Sequence, residues 1–142
     1  MDIQQFIDDL NIDLSLERSA QIQYEQHQAV LSGYYFAFAS DFLIHAEEEH
    51  KHALSLTELI IYLGGIPTAE IGDIKIANDI SNCGSMVDAN IESEQTAIDR
   101  YKQRLSDAVE FGFPEAVPFI QEILTDEIHH INDLKSIKTV KE

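Results

Sequence analysis

Basic residues are scarce in this chain: nine lysines and arginines stand against 26 aspartates and glutamates, a net charge of −17. That balance repels nucleic acid and anionic membrane surfaces and attracts cations. Cysteine is nearly missing as well, and the single Cys83 excludes an internal disulfide and a thiolate metal cluster. No uninterrupted apolar run is long enough to cross a membrane, and no basic-then-apolar leader precedes Ile3, so a cytoplasmic protein is expected. Gly/Ser linkers and low-complexity runs are absent too. With 142 residues, 44% of them hydrophobic, residues 1–142 are expected to form one domain with a substantial core.

What the chain does carry is helical periodicity. Ile3, Ile7, Leu10 and Leu14 continue through Glu17, Gln21, Tyr24 and Leu31 on one stripe, which predicts a first helix ending near Gly33. A second helix is predicted from about Phe36 to Leu63, where Gly64, Gly65 and Pro67 stop it; its stripe is Phe42, Ala46, Glu49, Ala53, Leu56, Ile60 and Leu63. Residues 66–80 have no sustained period and contain Pro67 and Gly72. At ~3.3 Å per extended residue such a stretch can run the length of a bundle. A third helix begins between Ser81 and Ser85 and ends before Gly112 and Pro114, with Val87, Ile91, Glu94, Ile98, Tyr101 and Leu105 in its stripe. The fourth begins around Pro118 and carries Ile120, Ile123, Glu127, His130, Leu134 and Ile137. Lys135, Lys138 and Lys141 suit its C-terminus, where cations complement the helix dipole. The expected fold is all-α: an antiparallel four-helix bundle with one long crossover between helices two and three.

Polar residues interrupt these stripes in a repeated pattern. Glu-x-x-His occurs as Glu49/His52 and Glu127/His130, and a lone glutamate, Glu17 or Glu94, precedes each copy by 32 or 33 residues. Positions i and i+3 share a helix face, so each pattern aims one carboxylate and one imidazole in the same direction. Overlapping matches exist at Glu47/His50 and Asp126/His129, and periodicity decides between them: Glu49/His52 and Glu127/His130 continue the apolar stripes, the others lie with charged residues. One buried carboxylate per helix is therefore expected, at Glu17, Glu49, Glu94 and Glu127. Four buried carboxylates need compensation, because each buried ion costs several kcal/mol. Two divalent cations cancel four glutamates and two neutral imidazoles, and the mixed donor set suits iron, with manganese as the other fit, better than calcium or magnesium. Tyr24 and Tyr101 each lie seven residues after Glu17 and Glu94, in reach of a bridging carboxylate across the bundle. Glu48 and Asp126 each precede a ligand glutamate and are placed to accept the distal N–H of a histidine from the facing helix. His27, His45, His50 and His129 are expected at the surface.

The segments LERSAQIQY (16–24), EHKHALSLTELIIYLGG (49–65), ESEQTAIDRY (92–101) and EILTDEIHHINDL (122–134) carry a resemblance to the ferritin-like superfamily, and within it to bacterioferritins. The resemblance implies terminal ligands Glu17 and Glu94, bridging ligands Glu49 and Glu127, and one metal completed by each of His52 and His130. It also implies a homo-oligomeric ferroxidase that oxidises Fe(II) with O2 or H2O2 at two iron ions, for iron storage or detoxification. Three departures accompany it. His50 stands where bacterioferritins bind haem through a methionine, so no haem is expected; 12 residues follow His130, little room for the short fifth helix of the large cages. Ala97 stands where rubrerythrins carry a further carboxylate. A di-iron oxidase or peroxidase of another small substrate, and a non-catalytic metal-binding bundle, are the competing readings.

Overall fold

The computed structural model describes residues 1–31 and 36–141 and contains four long helices: α1 (Ile3–Leu31), α2 (Phe36–Tyr62), α3 (Cys83–Phe111) and α4 (Val117–Lys141). The turn expected near Gly33 lies outside the described residues. A short 3-10 turn, Pro114–Ala116, precedes α4, so the fourth helix begins one residue before Pro118. No strand occurs among the described residues, and none of their helices is long and apolar enough to cross a membrane.

The helix ends follow from local chemistry. Gly64 and Gly112 both adopt a left-handed conformation, with φ of 89° and 85°. The amides of Gly65 and Phe113 then reach back to the carbonyls of Ile60 and Ala108, closing α2 and α3 in the manner of a Schellman cap. Gly65 is favoured for a different reason: a Cβ there would meet Ile7 Cγ2 at 2.6 Å. At its start, α3 is capped by the Asn82 side chain, which accepts from the Ser85 amide at 2.9 Å.

α1 packs mainly on α2 and α3 mainly on α4. The core divides into two apolar clusters. One is built on Phe6, Leu10, Leu56, Leu59, Ile120 and Ile123, the other on Leu31, Phe42, Met86, Val87 and Leu134. The polar cluster described below lies between them along the bundle. The crossover, residues 66–80, runs along α1 as a strap fastened by side chains. Asn11 bonds both the Ile66 carbonyl and the Thr68 amide, and the Gly72 amide reaches the Ser15 carbonyl. Farther along, Gln23 accepts from the Lys75 amide, His27 bonds the Lys75 carbonyl at 2.7 Å, and Gln26 clasps both the amide and the carbonyl of Ala77. A chain segment without secondary structure has every backbone polar group to satisfy, and these α1 side chains meet much of that requirement.

Burial corrects two sequence expectations. His27 and His45 are buried, not superficial; only His50 and His129 are exposed. His27 follows Tyr24 by three residues and is drawn in by its bonds to the strap and to Asn90. His45 precedes Glu49 by one helical turn and shares its inward face. Nor is there only one buried carboxylate on each helix: Asp13 on α1 and Asp107 on α3 are buried as well. Arginines compensate them, since Arg104 bonds Asp13 and Asp107, and Arg100 bonds Asp13 at 2.5 Å.

Candidate metal centre

The stripes of the four helices bring Glu17, Glu49, His52, Glu94, Glu127 and His130 together, and all six are buried. Two sets form. Glu17, Glu49, His52 and Glu127 each offer a donor atom within 4.8 Å of the others, and so do Glu49, Glu94, Glu127 and His130. Glu49 and Glu127 belong to both sets. Each histidine points Nδ1 inward: His52 Nδ1 lies 2.8 Å from Glu127 Oε1 and 3.5 Å from Glu17 Oε2, and His130 Nδ1 lies 2.8 Å from Glu49 Oε1 and 3.4 Å from Glu94 Oε1.

Each histidine points Nε2 outward to a carboxylate on the facing helix. His52 on α2 meets Asp126 of α4 at 2.8 Å, and His130 on α4 meets Glu48 of α2 at 2.6 Å. These bonds hold the ring orientation and place a proton on the outer nitrogen, leaving Nδ1 free to act as a donor atom. The tyrosines are also exchanged between helices. Tyr24 of α1 donates to Glu94 of α3 at 2.7 Å, and Tyr101 of α3 donates to Glu17 of α1 at 2.5 Å. The expected partner was a bridging carboxylate, Glu49 or Glu127. The phenols instead orient the glutamates that belong to one set each, because Tyr24 and Tyr101 stand on the same two helices as Glu17 and Glu94.

Electrostatics shows what such a cluster demands. Burial, together with the negative charges of Glu17 and Glu94, raises the Glu49 carboxyl well above the usual range; burial with Glu49, Glu94 and Glu17 does the same to Glu127. For Glu94 burial pulls upward too, but its contacts with Glu127, His130 and Tyr24 outweigh it, and its pKa falls. Burial opposes charge on both histidines and is again outweighed. Contacts with Glu127, Glu17 and Glu49 raise His52, and Glu94, Glu127 and Glu48 lift His130 to about 9. Without cations the cluster must therefore hold protons to offset its own charge. Even so, Glu17 Oε2, Glu49 Oε1, His52 Nδ1, Glu94 Oε2 and Glu127 Oε1 are buried without a well-aligned hydrogen bond, although His52 Nδ1 and Glu127 Oε1 lie only 2.8 Å apart, as do His130 Nδ1 and Glu49 Oε1. Five such donor atoms aimed at one another fit positive ions held between them, since buried polar groups are otherwise satisfied.

Sequence reasoning missed one neighbour of this cluster. The His45 ring stacks on His130 with centroids 4.3 Å apart and meets Tyr24 edge-on, and its Nε2 lies 3.4 Å from Asp133. It braces the outer side of His130. Its spacing of four residues from Glu49 is the signal that identifies it in the sequence.

Comparison with known proteins agrees with this architecture. The ferritin-like domain description matches residues 7–140. A structure described as ferritin-like, diiron-carboxylate proteins from Bacillus anthracis is similar at 32% identity, covering 97% of this chain and 99% of that one, with a TM-score of 0.88. A Rhodobacter capsulatus bacterioferritin, described with a metal-free dinuclear site and a heme iron, shares the fold at TM-score 0.88 and 22% identity, over 96% of this chain and 85% of that one. No curated protein matches the sequence. A bundle with one long crossover, a paired carboxylate and histidine cluster at its centre, and a family match over nearly its whole length place this chain in the ferritin-like family.

Proposed function

We propose that the chain is a di-iron ferroxidase, using O2 or H2O2 to oxidise Fe(II) for iron storage or detoxification. The observation that carries this reading is the pair of overlapping donor sets sharing Glu49 and Glu127. That arrangement suits two cations bridged by two carboxylates, with Glu17 and His52 completing one and Glu94 and His130 the other. The charges balance, since four carboxylates and two neutral imidazoles carry the four negative charges that two divalent ions cancel. The donor types favour iron, with manganese the alternative metal. Bound there, two Fe(II) ions supply the two electrons that reduce hydrogen peroxide to water, or dioxygen to peroxide.

The protein's own groups prepare this chemistry. Asp126 and Glu48 keep the histidine protons on Nε2. Tyr101 and Tyr24 hold Glu17 and Glu94 in place through short hydrogen bonds. The carboxylates supply negative charge that favours the ferric over the ferrous state. Haem is not part of the proposal: His50 is exposed, with Nδ1 3.3 Å from an Arg18 guanidinium nitrogen. Self-association is part of it, supported by exposed apolar residues such as Ile61, Tyr62, Ile66 and Ile76.

The test is to load the protein with Fe(II) anaerobically and admit O2 or peroxide. Ferric absorbance should rise rapidly and saturate near two irons per chain, one for each donor set. His130→Ala should slow the rise by about a hundredfold or more. A protein shown to hold two Fe(II) ions that stay reduced under both oxidants would overturn the proposal, leaving a non-catalytic metal-binding bundle.

A further inference from the structure

On the side of the cluster that neither histidine lines, a cavity of about 160 Å³ opens between α1 and α3 beneath the crossover strap. Its floor is the carboxylate side of the cluster, Glu17, Glu49, Glu94 and Glu127 with Tyr101, so part of the volume is the space that cations bound there would take. Its walls are largely small or apolar, with Leu16 and Ala20 from α1 facing Ala97 from α3. The strap forms the outer rim through Asp73 and Lys75.

The space has a local cause. Ala20 and Ala97 bring almost no side-chain volume to the point where the two helices would otherwise close over the carboxylates. The strap cannot sink in to fill it. At Gly72 it already lies so close to α1 that a Cβ would meet Leu16 Cδ2 at 3.2 Å, and Gln23 holds the Lys75 amide at 2.9 Å. The void is thus framed on three sides by elements that are separately fixed.

Size and charge together indicate an occupant. A cavity of ~150 Å³ holds a molecule the size of benzene. Cations at the floor would take part of this one, and the rest, between Leu16, Ala20 and Ala97, lies outside the donor sets. The rim carries cations, but both are engaged: Lys75 Nζ lies 2.8 Å from Glu92, and Arg100 Nε lies 2.5 Å from Asp13. The four carboxylates at the floor outweigh these two paired cations and repel an incoming anion. The floor presents acceptors only, because the Tyr101 hydroxyl already donates to Glu17 and carboxylate oxygens keep further lone pairs.

We infer that the cavity between α1, α3 and the strap binds a small uncharged molecule with an apolar body and one donor hydroxyl, of about the size of phenol. The apolar body lies against Leu16, Ala20 and Ala97, and the hydroxyl points at the carboxylate floor. This goes beyond iron oxidation and does not depend on it.

Phenol is the probe, titrated calorimetrically into the cation-free protein and into protein loaded with redox-inert Zn(II), with zinc content measured on the same sample. Saturable binding of one phenol per chain is expected, with Kd on the order of millimolar for so small a ligand. Benzoate should bind about tenfold more weakly or worse. Ala97→Leu and, from the opposite wall, Ala20→Leu should each weaken phenol by about tenfold while zinc content stays unchanged. Should either variant fail to fold, methyl chemical shifts of Ala20 and Ala97 in the unaltered protein report the same contact directly. Absence of saturable phenol binding, undiminished affinity in the folded variants, benzoate binding as tightly as phenol, or shifts confined to residues outside the cavity would each overturn the inference. Zinc content separates these outcomes from failure of the metal centre: phenol binding with no zinc bound would refute the centre and leave the cavity site standing.

Discussion

The carboxylate and histidine cluster has two unlike approaches, and they differ in the charge that surrounds them. On the histidine side, Glu48, Glu122, Asp126 and Asp133 surround the outer edges of His52 and His130, with Lys51 the one lysine among them. This hollow concentrates the negative charge of an already acidic chain and draws cations toward the imidazoles. On the strap side, Asp13 and Asp73 are matched by Lys75 and Arg100 around the mouth, and the walls are small and apolar. On that approach the opposite charges of the rim offset one another, in keeping with the uncharged occupant inferred above. The two share no lining residue, so each can be altered by itself.

The largest effect tests the cluster that lies between the two approaches. Glu49→Ala removes a group present in both donor sets and should abolish binding of both metals, whereas Glu17→Ala, which touches one set, should leave about one. Metal analysis after reconstitution and desalting distinguishes them; equal losses in the two variants would end the assignment of Glu49 as a bridge. Chelation should also lower the melting temperature at pH 7, because ligand at ~100 Kd stabilises by ~2.7 kcal/mol.

A smaller effect separates the two approaches. Asp126→Asn keeps the shape of the histidine-side partner but removes its charge, and should weaken Fe(II) affinity by about 10–100-fold. Asp73→Asn on the strap rim should change it by less than about twofold, as expected for an exposed charge. Competition against a chelating dye measures both. Similar losses in the two would erase the distinction between the faces.

The smallest effect concerns the strap side alone. Burial raises Asp13 from 3.8 to about 6 against the opposing pull of Arg100 and Arg104. The folded chain then holds a proton that the unfolded chain has released, so this residue makes stability fall as pH rises from about 4 to about 6, by up to ~1.4 kcal/mol per pH unit, and adds no slope above that range. Urea unfolding of the zinc-loaded protein at pH 4, 5 and 6 should show stability falling less, or rising more, with pH in Asp13→Asn than in the unaltered protein. An identical slope in both proteins would mean that Asp13 ionises normally despite its burial.

The convergence of Glu17, Glu49, His52, Glu94, Glu127 and His130 was readable because they replace apolar residues in stripes of fixed period, and a helix converts that period into direction without help from the rest of the chain. Glu48 and Asp126 were readable for the same reason, each one position from a donor and reaching across to the facing helix. The tyrosine partners were not. Sequence spacing places Tyr24 and Tyr101 on the inward face but leaves open which carboxylate each meets, and only the packing of α1 beside α3 settled that in favour of Glu94 and Glu17. His27 and His45 went unrecognised because polarity alone argues for the surface. What buries His27 is the strap, with Asn90, and what covers His45 is the stacked ring of His130.

By itself, then, the sequence determined the four helices, their boundaries at Gly64 and Gly112, the long crossover and the inward faces carrying the donors. All of these are local properties: dihedral preference, periodicity, and the φ that only glycine adopts without strain. Tertiary structure alone decided where the crossover lies, which polar side chains anchor it, that Asp13 and Asp107 are buried with arginines, and that a cavity remains between Ala20 and Ala97. Apart from the local Arg104–Asp107 pair, those outcomes depend on residues about 50 or more positions apart in the chain. Their separation in space is set by how whole helices pack, a quantity that no spacing within one helix contains.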